Sequence, residues 1–386
     1  MTEWKTYRLG DICKRVCSGG TPKSTEPTYY DGDIPWLNTK EINFNRIYST
    51  ERCITQKGLD NSSAKWIDAN CVIVAMYGAT AAKVAINKIP LTTNQACCNL
   101  SIDENMADYR FVYYWLCANY TELASLANGG AQQNLNAQQI KDFEISLPSL
   151  EEQRRIAGIL GAIDDKIENN RRINTNLELQ AQALFDKIFF DDKDAERNPL
   201  SDYANINPTR TLRQGVVARY IEMANLPTKG SFPSDWSYKS YGGGCKFANG
   251  DTIMARITPC LENGKTAYID FLEEQEVAFG STEYIVISAK SGYCPALFYF
   301  LARNKEFVDY AVGHMNGSSG RQRVGGVDIA NFPMPHITLD DSSKFAEIAM
   351  PIMDVIRNNS LENRQLATLR DTLLPKLMNG EIKVAE

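Results

Sequence analysis

The chain nearly repeats itself at a spacing of 189 residues, close to half of its 386. Residues 140–189 and 329–378 align without a gap. Their identical pairs include Phe143/Phe332, Ala157/Ala346, Ile163/Ile352, Ile167/Ile356, Asn170/Asn359, Asn174/Asn363, Leu177/Leu366 and Leu184/Leu373. So long a period places every structural unit in the chain twice and predicts an internal pseudo-two-fold repeat. A pseudo-symmetric monomer suits a target that itself presents two similar faces, and duplex nucleic acid is the commonest such target.

The repeated segments carry a helical pattern. Ile156, Leu160, Ile163, Ile167, Asn170, Asn174, Leu177, Ala181, Leu184 and Ile188 follow a 4-3 spacing, and Phe345 to Leu377 repeat it. Sustained over more than four heptads, that spacing predicts a coiled-coil seam with two polar layers in its middle. An antiparallel pair related by a pseudo-two-fold near residues 172 and 361 sets Asn170 against Asn363 and Asn174 against Asn359. Buried asparagine at a seam costs stability and fixes register. The alternative is that each helix packs on its own module and the asparagines face solvent.

Around the helices lie two stretches rich in strand and turn signals, such as Ser18-Gly19-Gly20-Thr21-Pro22, the apolar run Cys71–Met76, and Asn249-Gly250-Asp251. The organisation expected is a globular module at 1–148, a helix at 149–190, a second module at 191–335 and a second helix at 336–386. The fold class is α+β (mixed α/β): two globular domains separated by two long helices that form an antiparallel coiled coil. Leu9-Gly10-Asp11-Ile12 is similar to Leu200-Ser201-Asp202-Tyr203, which follows the first helix. The repeat is therefore almost circular, and the first module is expected at the end of the second helix.

A net charge of −6 argues at first sight against nucleic acid. Divided along the chain, however, residues 1–148 carry −1 and 199–335 carry 0, while 149–198 and 336–386 carry −3 and −2. The acidic surplus sits in the helical repeats, and the neutral modules can still gather cations on one face. No apolar run reaches the roughly 18 residues of a membrane span, so the cytoplasm is the default location. The ten cysteines read as reduced thiols.

Catalytic motifs are missing. Only His314 and His336 are available as imidazoles, and no Cys-x-x-Cys pair suggests zinc. Neither a phosphate-binding Gly-Lys-Ser/Thr order nor a methyltransferase or nuclease motif occurs. Readout of DNA instead needs polar and cationic side chains on exposed loops. In the first module these are Lys14, Arg15, Thr21, Lys23, Asn38, Thr39, Lys40, Tyr77, Thr80, Lys83, Gln132 and Gln133. In the second they are Arg219, Asn225, Lys229, Arg256, Thr258, Lys265, Arg321 and Arg323. Trp36 and Trp66 read as core residues rather than base-stacking platforms. Glu152, Arg154 and Arg155, beside the seam, offer a mixed-charge docking face.

These features together resemble the specificity subunit of type I restriction-modification systems, over the whole chain. Leu147-Pro148-Ser149-Leu150-Glu151-Glu152-Gln153-Arg154-Arg155-Ile156-Ala157 is similar to the family's signature at the start of its first conserved helix. Gly20-Thr21-Pro22, Ile34-Pro35-Trp36, Gly58-Leu59 and Thr93-Asn94-Gln95-Ala96 resemble landmarks of one target-recognition-domain type. The second copy departs from the pattern, with Asp340-Asp341-Ser342-Ser343-Lys344-Phe345 in place of the Glu-Glu-Gln-Arg-Arg-Ile cluster. The resemblance implies that each module reads half of a split, asymmetric double-stranded DNA site. It implies that the helices bind two methyltransferase subunits, with Glu152, Gln153, Arg154 and Arg155 in that contact, and restriction subunits through them. It also implies no catalysis and no cofactor in this chain, since S-adenosylmethionine, ATP and Mg would be bound by the partners. The alternative is a two-module protein-interaction scaffold that does not bind DNA.

Overall fold

The computed structural model of the chain describes residues 4–127, 134–318 and 320–384. Two long helices, Leu150–Phe189 and Leu339–Met378, run for 40 residues each. The chain divides into two compact units that cut across both helices. Unit 1 is Met1–Asp165 with Leu366–Glu386, and unit 2 is Lys166–Gln365.

Unit 1 is built on a five-stranded sheet in the order Cys13–Ser18, Cys97–Ile102, Val72–Ala75, Val84–Asn87, Asn45–Ile47. A four-stranded sheet adjoins it, ordered Arg52–Ile54, Tyr30–Leu37, Leu91–Thr93, Trp66–Ile67. The apolar run Cys71–Met76 becomes a central strand because every one of its side chains is buried, as a strand covered on both faces requires. Helix Tyr109–Ala118 starts at Asp108, whose carboxylate accepts the Arg110 N–H, and buries Phe111, Val112, Tyr114 and Leu116. These side chains pack with Ile156, Ala157 and Leu160 of the first long helix and Leu377 and Met378 of the second. Full burial of Phe111 removes its ring from water, worth about 2–3 kcal/mol.

Unit 2 repeats the plan. One sheet orders Ala204–Ile206, Tyr284–Ala289, Asp251–Ala255 and Thr266–Tyr268; the other orders Ser237–Ser240, Val217–Ile221, Ala278–Gly280 and Cys245–Phe247. No counterpart of strand Asn45–Ile47 extends the first of these sheets among the described residues. Phe185, Phe189, Phe300 and Phe345 form an aromatic cluster between the helices and the module, with ring centroids 5.3 to 6.3 Å apart.

The helices form an antiparallel coiled coil. In unit 2 the Asn170 amide donates to Asn363 Oδ1 at 3.0 Å, and Asn359 donates to Asn174 Oδ1 at 2.8 Å. Lys166 meets Glu362 at 3.1 Å. In unit 1 Arg370 meets Asp164 at 2.9 Å. Rising numbers on one helix oppose falling numbers on the other. The seam departs from strict heptads at its ends. Ile188 is 41% exposed, while Phe185 and Phe189 take its place, and in the second copy Met353 is buried rather than Ile352. A straight helix has 3.6 residues per turn, so a buried line drifts from a 3.5-residue repeat and continues at i+4.

Of the two tryptophans expected in the core, Trp36 is buried and Trp66 is 43% exposed. Trp66 lies on an edge strand of two residues, where successive side chains face opposite sides. The ten cysteines are free thiols. Burial pushes that of Cys13 up to about 12, so it is not a reactive thiolate. Among the described residues no helix is long and apolar enough to cross a membrane, and no cluster of side chains has the make-up of a metal site.

Candidate nucleic-acid interface

The candidate residues of unit 1 sit on loops knotted together by backbone hydrogen bonds. The Met76 N–H donates to the Ala96 carbonyl at 2.8 Å, the Leu135 N–H donates to Met76 at 2.8 Å, and Tyr77 bridges to Asn134. Gly20 donates to the Thr93 carbonyl at 2.9 Å and accepts from Trp36 Nε1 at 2.9 Å. Only glycine fits this crossing, because a Cβ at Gly19 would lie 2.0 Å from Thr93 O and one at Gly20 2.2 Å from Ala64 N. Thr21 reaches Gln95, and Asn94 donates to the Asn38 side chain at 3.0 Å. The structure thus brings Thr21, Asn38, Thr39 and Lys40 close to the 77–83 loop that carries Tyr77, Thr80 and Lys83. Lys23 follows on the same exposed segment as Thr21.

Lys14 and Arg15 do not join this group. Arg15 pairs with Ser101, and Ser18, at the other end of its strand, pairs with Cys98. Three residues of strand separate them, roughly 10 Å, and Lys14 is held by Glu104 at 3.1 Å. Lys40 forms an ion pair with Glu51, whose hydrogen bond pushes the ammonium pKa up. Lys83 donates to Asn43 at 2.8 Å. Gln132 and Gln133 lie outside the described residues.

Unit 2 has the same loop lattice. The Arg256 N–H donates to the Glu283 carbonyl at 3.0 Å, Val324 donates to Arg256 at 3.0 Å, and Ile257 bridges to Arg323. These bonds equate Met76 with Arg256, Ala96 with Glu283 and Asn134 with Arg323. Arg323 grips Glu283 through Nε at 2.9 and 3.0 Å and Nη2 at 2.7 Å. The hydrogen bond from Arg323 holds the Glu283 carboxyl below the usual range, with Arg256 adding to the effect. Thr258 Oγ accepts the Gln322 N–H at 3.2 Å. Lys265 donates to the Met223 carbonyl at 2.7 Å, which draws in the 223–225 turn with Asn225. Arg256, Thr258, Lys265, Arg321 and Arg323 therefore gather at one end of the sheet. Lys229 is exposed on an adjacent loop, where Arg303 holds the carbonyls of Thr228 at 2.6 Å and Gly230 at 2.7 Å.

Two expected contact residues are spent inside the fold. Arg219 donates to the Phe271 carbonyl at 2.9 Å, faces Glu273 and Glu276 at 3.3 Å each, and packs over Trp236. Its side chain is 12% exposed, so it braces the sheet rather than presenting donors. Gln153 is buried beneath the first helix start, accepting the Asp108 N–H and donating to the Pro148 carbonyl, both at 3.0 Å. Of its neighbours Arg154 is exposed, whereas Glu152 and Arg155 are half-buried. Gln95 and Asn134 are amides of the kind that the sequence offers for adenine contacts, whereas Glu283, an acid, is the loop-lattice residue that cations and amides on turns do not point to. The signal for Glu283 is Ser281-Thr282-Glu283, in the same place before a buried strand as Asn94-Gln95-Ala96.

Residues 1–179, slightly less than half of the chain, match the type I restriction modification DNA specificity domain. The chain is 27% identical to the MjaIX type I restriction enzyme specificity subunit of Methanocaldococcus jannaschii, over 100% of this chain and 94% of that protein. It is 30% identical to the EcoR124I/EcoR124II specificity subunit of Escherichia coli over 42% of this chain and 41% of that one. In fold it resembles the crystal structure of the type I restriction-modification S subunit from M. genitalium, with a TM-score of 0.62 at 16% identity, covering 97% of this chain and 96% of that one. The first 179 residues thus match the DNA specificity domain, and the chain as a whole is similar to the specificity subunits of type I restriction-modification systems in sequence and, with its repeated two-module plan, in fold.

Proposed function

We propose that each unit reads one half of a bipartite, asymmetric duplex DNA site and that the chain carries two methyltransferase subunits to it, with restriction subunits joining through them. The observation that supports this reading best is the loop lattice. Its backbone hydrogen bonds are the same in both units, while its side chains differ, with Met76, Ala96 and Asn134 in one against Arg256, Glu283 and Arg323 in the other, as two readers of different sequences require. The chain itself contributes recognition and no chemistry; S-adenosylmethionine, ATP and Mg belong to the partners. Partner docking is assigned to the first helix start through Arg154, Glu152 and Arg155, without Gln153. Ile159 and its repeat Ile348 add exposed apolar anchors at 38% and 50% exposure.

The test is a duplex-binding titration over a range of salt. Neutralising several phosphates makes affinity fall by about 10³-fold or more between 50 and 200 mM salt. Absence of duplex binding would favour the alternative, a protein-interaction scaffold. Mapping of genomic methylation should then return a split, non-palindromic motif, and a continuous palindrome would refute the two-reader scheme. Charge reversal at Arg154 and Arg155 should weaken methyltransferase assembly at least tenfold with the fold intact, as read by co-purification and circular dichroism.

A further inference from the structure

Unit 1 shows that the loop lattice closes without charge, since Met76 and Ala96 are buried apolar side chains at the positions of Arg256 and Glu283. The ionic group Arg256, Glu283 and Arg323 of unit 2 is therefore not something this backbone needs. Resting on the reading of unit 2 as a half-site reader, we infer that Arg323 is its guanine-reading residue and Glu283 the residue that positions it.

A guanidinium has five N–H groups. Glu283 takes the Nε–H and one on Nη2, and the Arg321 carbonyl takes one on Nη1 at 3.2 Å. One N–H is left on each terminal nitrogen. That is the pair a guanine consumes through O6 and N7 in the major groove. The side chain is 40% exposed and its partner 26% exposed, so the free edge reaches solvent while the bound edge is braced. Holding the plane in the unbound protein removes most of the ordering cost of contact.

Three other arginines of the unit are committed elsewhere, and among the described residues neither Arg256 nor Arg321 has a carboxylate holding its plane as Glu283 holds that of Arg323. Arg219 is caged as described, Arg210 is committed to Asp251 at 2.5 Å, and Arg303 donates to backbone carbonyls. A phosphate could also meet two N–H groups. It would not require the acid bracing, because a backbone contact carries no base information and tolerates a freely moving cation.

The experiment is selection of bound duplexes from a randomised library by the purified full-length chain at fixed salt, with R323K, E283Q and the double variant E283A/R323N alongside. The double variant installs the residues that unit 1 carries in the same lattice and guards against loss through misfolding. Wild type should enrich a split motif with a guanine at one position of one half. R323K and E283A/R323N should lower the preference for that guanine roughly 10-fold to 100-fold and leave the other half unchanged. E283Q should lower it at the same position by a smaller factor. A motif that survives R323K intact overturns this inference alone. So does an even loss of affinity across all sequences with a salt slope shallower by about one, the signature of a phosphate contact. If wild type enriches no sequence, the half-site reading itself falls, and this inference with it.

Discussion

The two units keep one backbone plan and fill it with different chemistry. At the loop lattice Met76, Ala96 and Asn134 stand in unit 1 where Arg256, Glu283 and Arg323 stand in unit 2. Along the coiled coil, Asp164 and Arg370 stand in unit 1 where the repeat places Met353 and Ala181. The Asp164 carboxylate accepts from Tyr114 at 2.6 Å and from Arg370 at 2.9 Å, whereas Ala181 and Met353 join an apolar core. A third exchange is Lys88 in unit 1 for Asp270 in unit 2. Each follows a residue whose carbonyl accepts the same turn hydrogen bond, from Asn70 and from Gly250, at 2.7 Å. The backbone bonds and the identities of the repeat define the scaffold, and side chains that make no scaffold bond are free to diverge.

The largest expected difference is in the cores. Phe345→Ala removes a ring in contact with Phe185, Phe189 and Phe300 and should cost about 4 kcal/mol in urea denaturation. At the repeat-related position, Ile156→Ala should cost about 3 kcal/mol. Equal losses would mean that the aromatic cluster adds nothing beyond its volume.

Next comes the seam. Asp164→Ala takes from Arg370 the less exposed of its two partners; burial alone would lower the Arg370 pKa, but the hydrogen bonds it donates to Asp164 and Asp371 and their charges raise it overall. The expected loss is about 3 kcal/mol. The double variant Asp164→Met with Arg370→Ala converts this layer to the chemistry of unit 2 and should recover most of that loss. Failure to recover it would mean that the ionic layer is needed for the shape of unit 1.

The third test uses pH. Burial raises the Asp270 carboxyl to about 7, against the lowering influence of Arg357, with Asp354 raising it further. The folded protein then holds a proton that the unfolded chain releases near pH 4. Stability from this group is fully present below pH 4 and is lost as pH rises to about 7, by on the order of 2 kcal/mol. Asp270→Asn should flatten that fall in thermal melts between pH 4 and 8, whereas Lys88→Gln in unit 1 should not. A slope unchanged by Asp270→Asn would remove the assignment.

The smallest effect is expected in the middle of the coil. Asn170 Oδ1 is buried without a partner although its amide is satisfied by Glu362 and Asn363. Replacing Asn170 and Asn363 together by Leu should stabilise the chain by about 1 kcal/mol while broadening the NMR or labelling pattern as register loosens. A single sharp state in the double variant would show that the apolar layers set register unaided.

The repeat and its helical spacing made the mixed α/β class, the two modules and the antiparallel coil legible from residues alone, because periodicity and duplication are one-dimensional properties. The drift at Ile188 was not legible, since it depends on how far a straight helix turns over its length. At the candidate site, residue type and loop position indicated where donors cluster but not which donors are already taken. Arg219 and Arg323 read alike in sequence. The glutamates that hold them lie 54 and 40 residues away, and only folding shows that one arginine is caged and the other braced at its edge.

Unit 1 is discontinuous: its floor includes Leu373, Leu374, Leu377 and Met378, which follow all of unit 2 in the chain. On a ribosome this means that Ile156, Ala157 and Leu160 wait for the second helix's share of their cover through the synthesis of some two hundred residues. The segment most like the missing cover is already present in residues 177–189, with Leu177, Leu184 and Lys187 matching Leu366, Leu373 and Lys376. The duplication that gives the fold its symmetry thus also sets an order of assembly: of two similar helices, the one that closes unit 1 is the later to emerge.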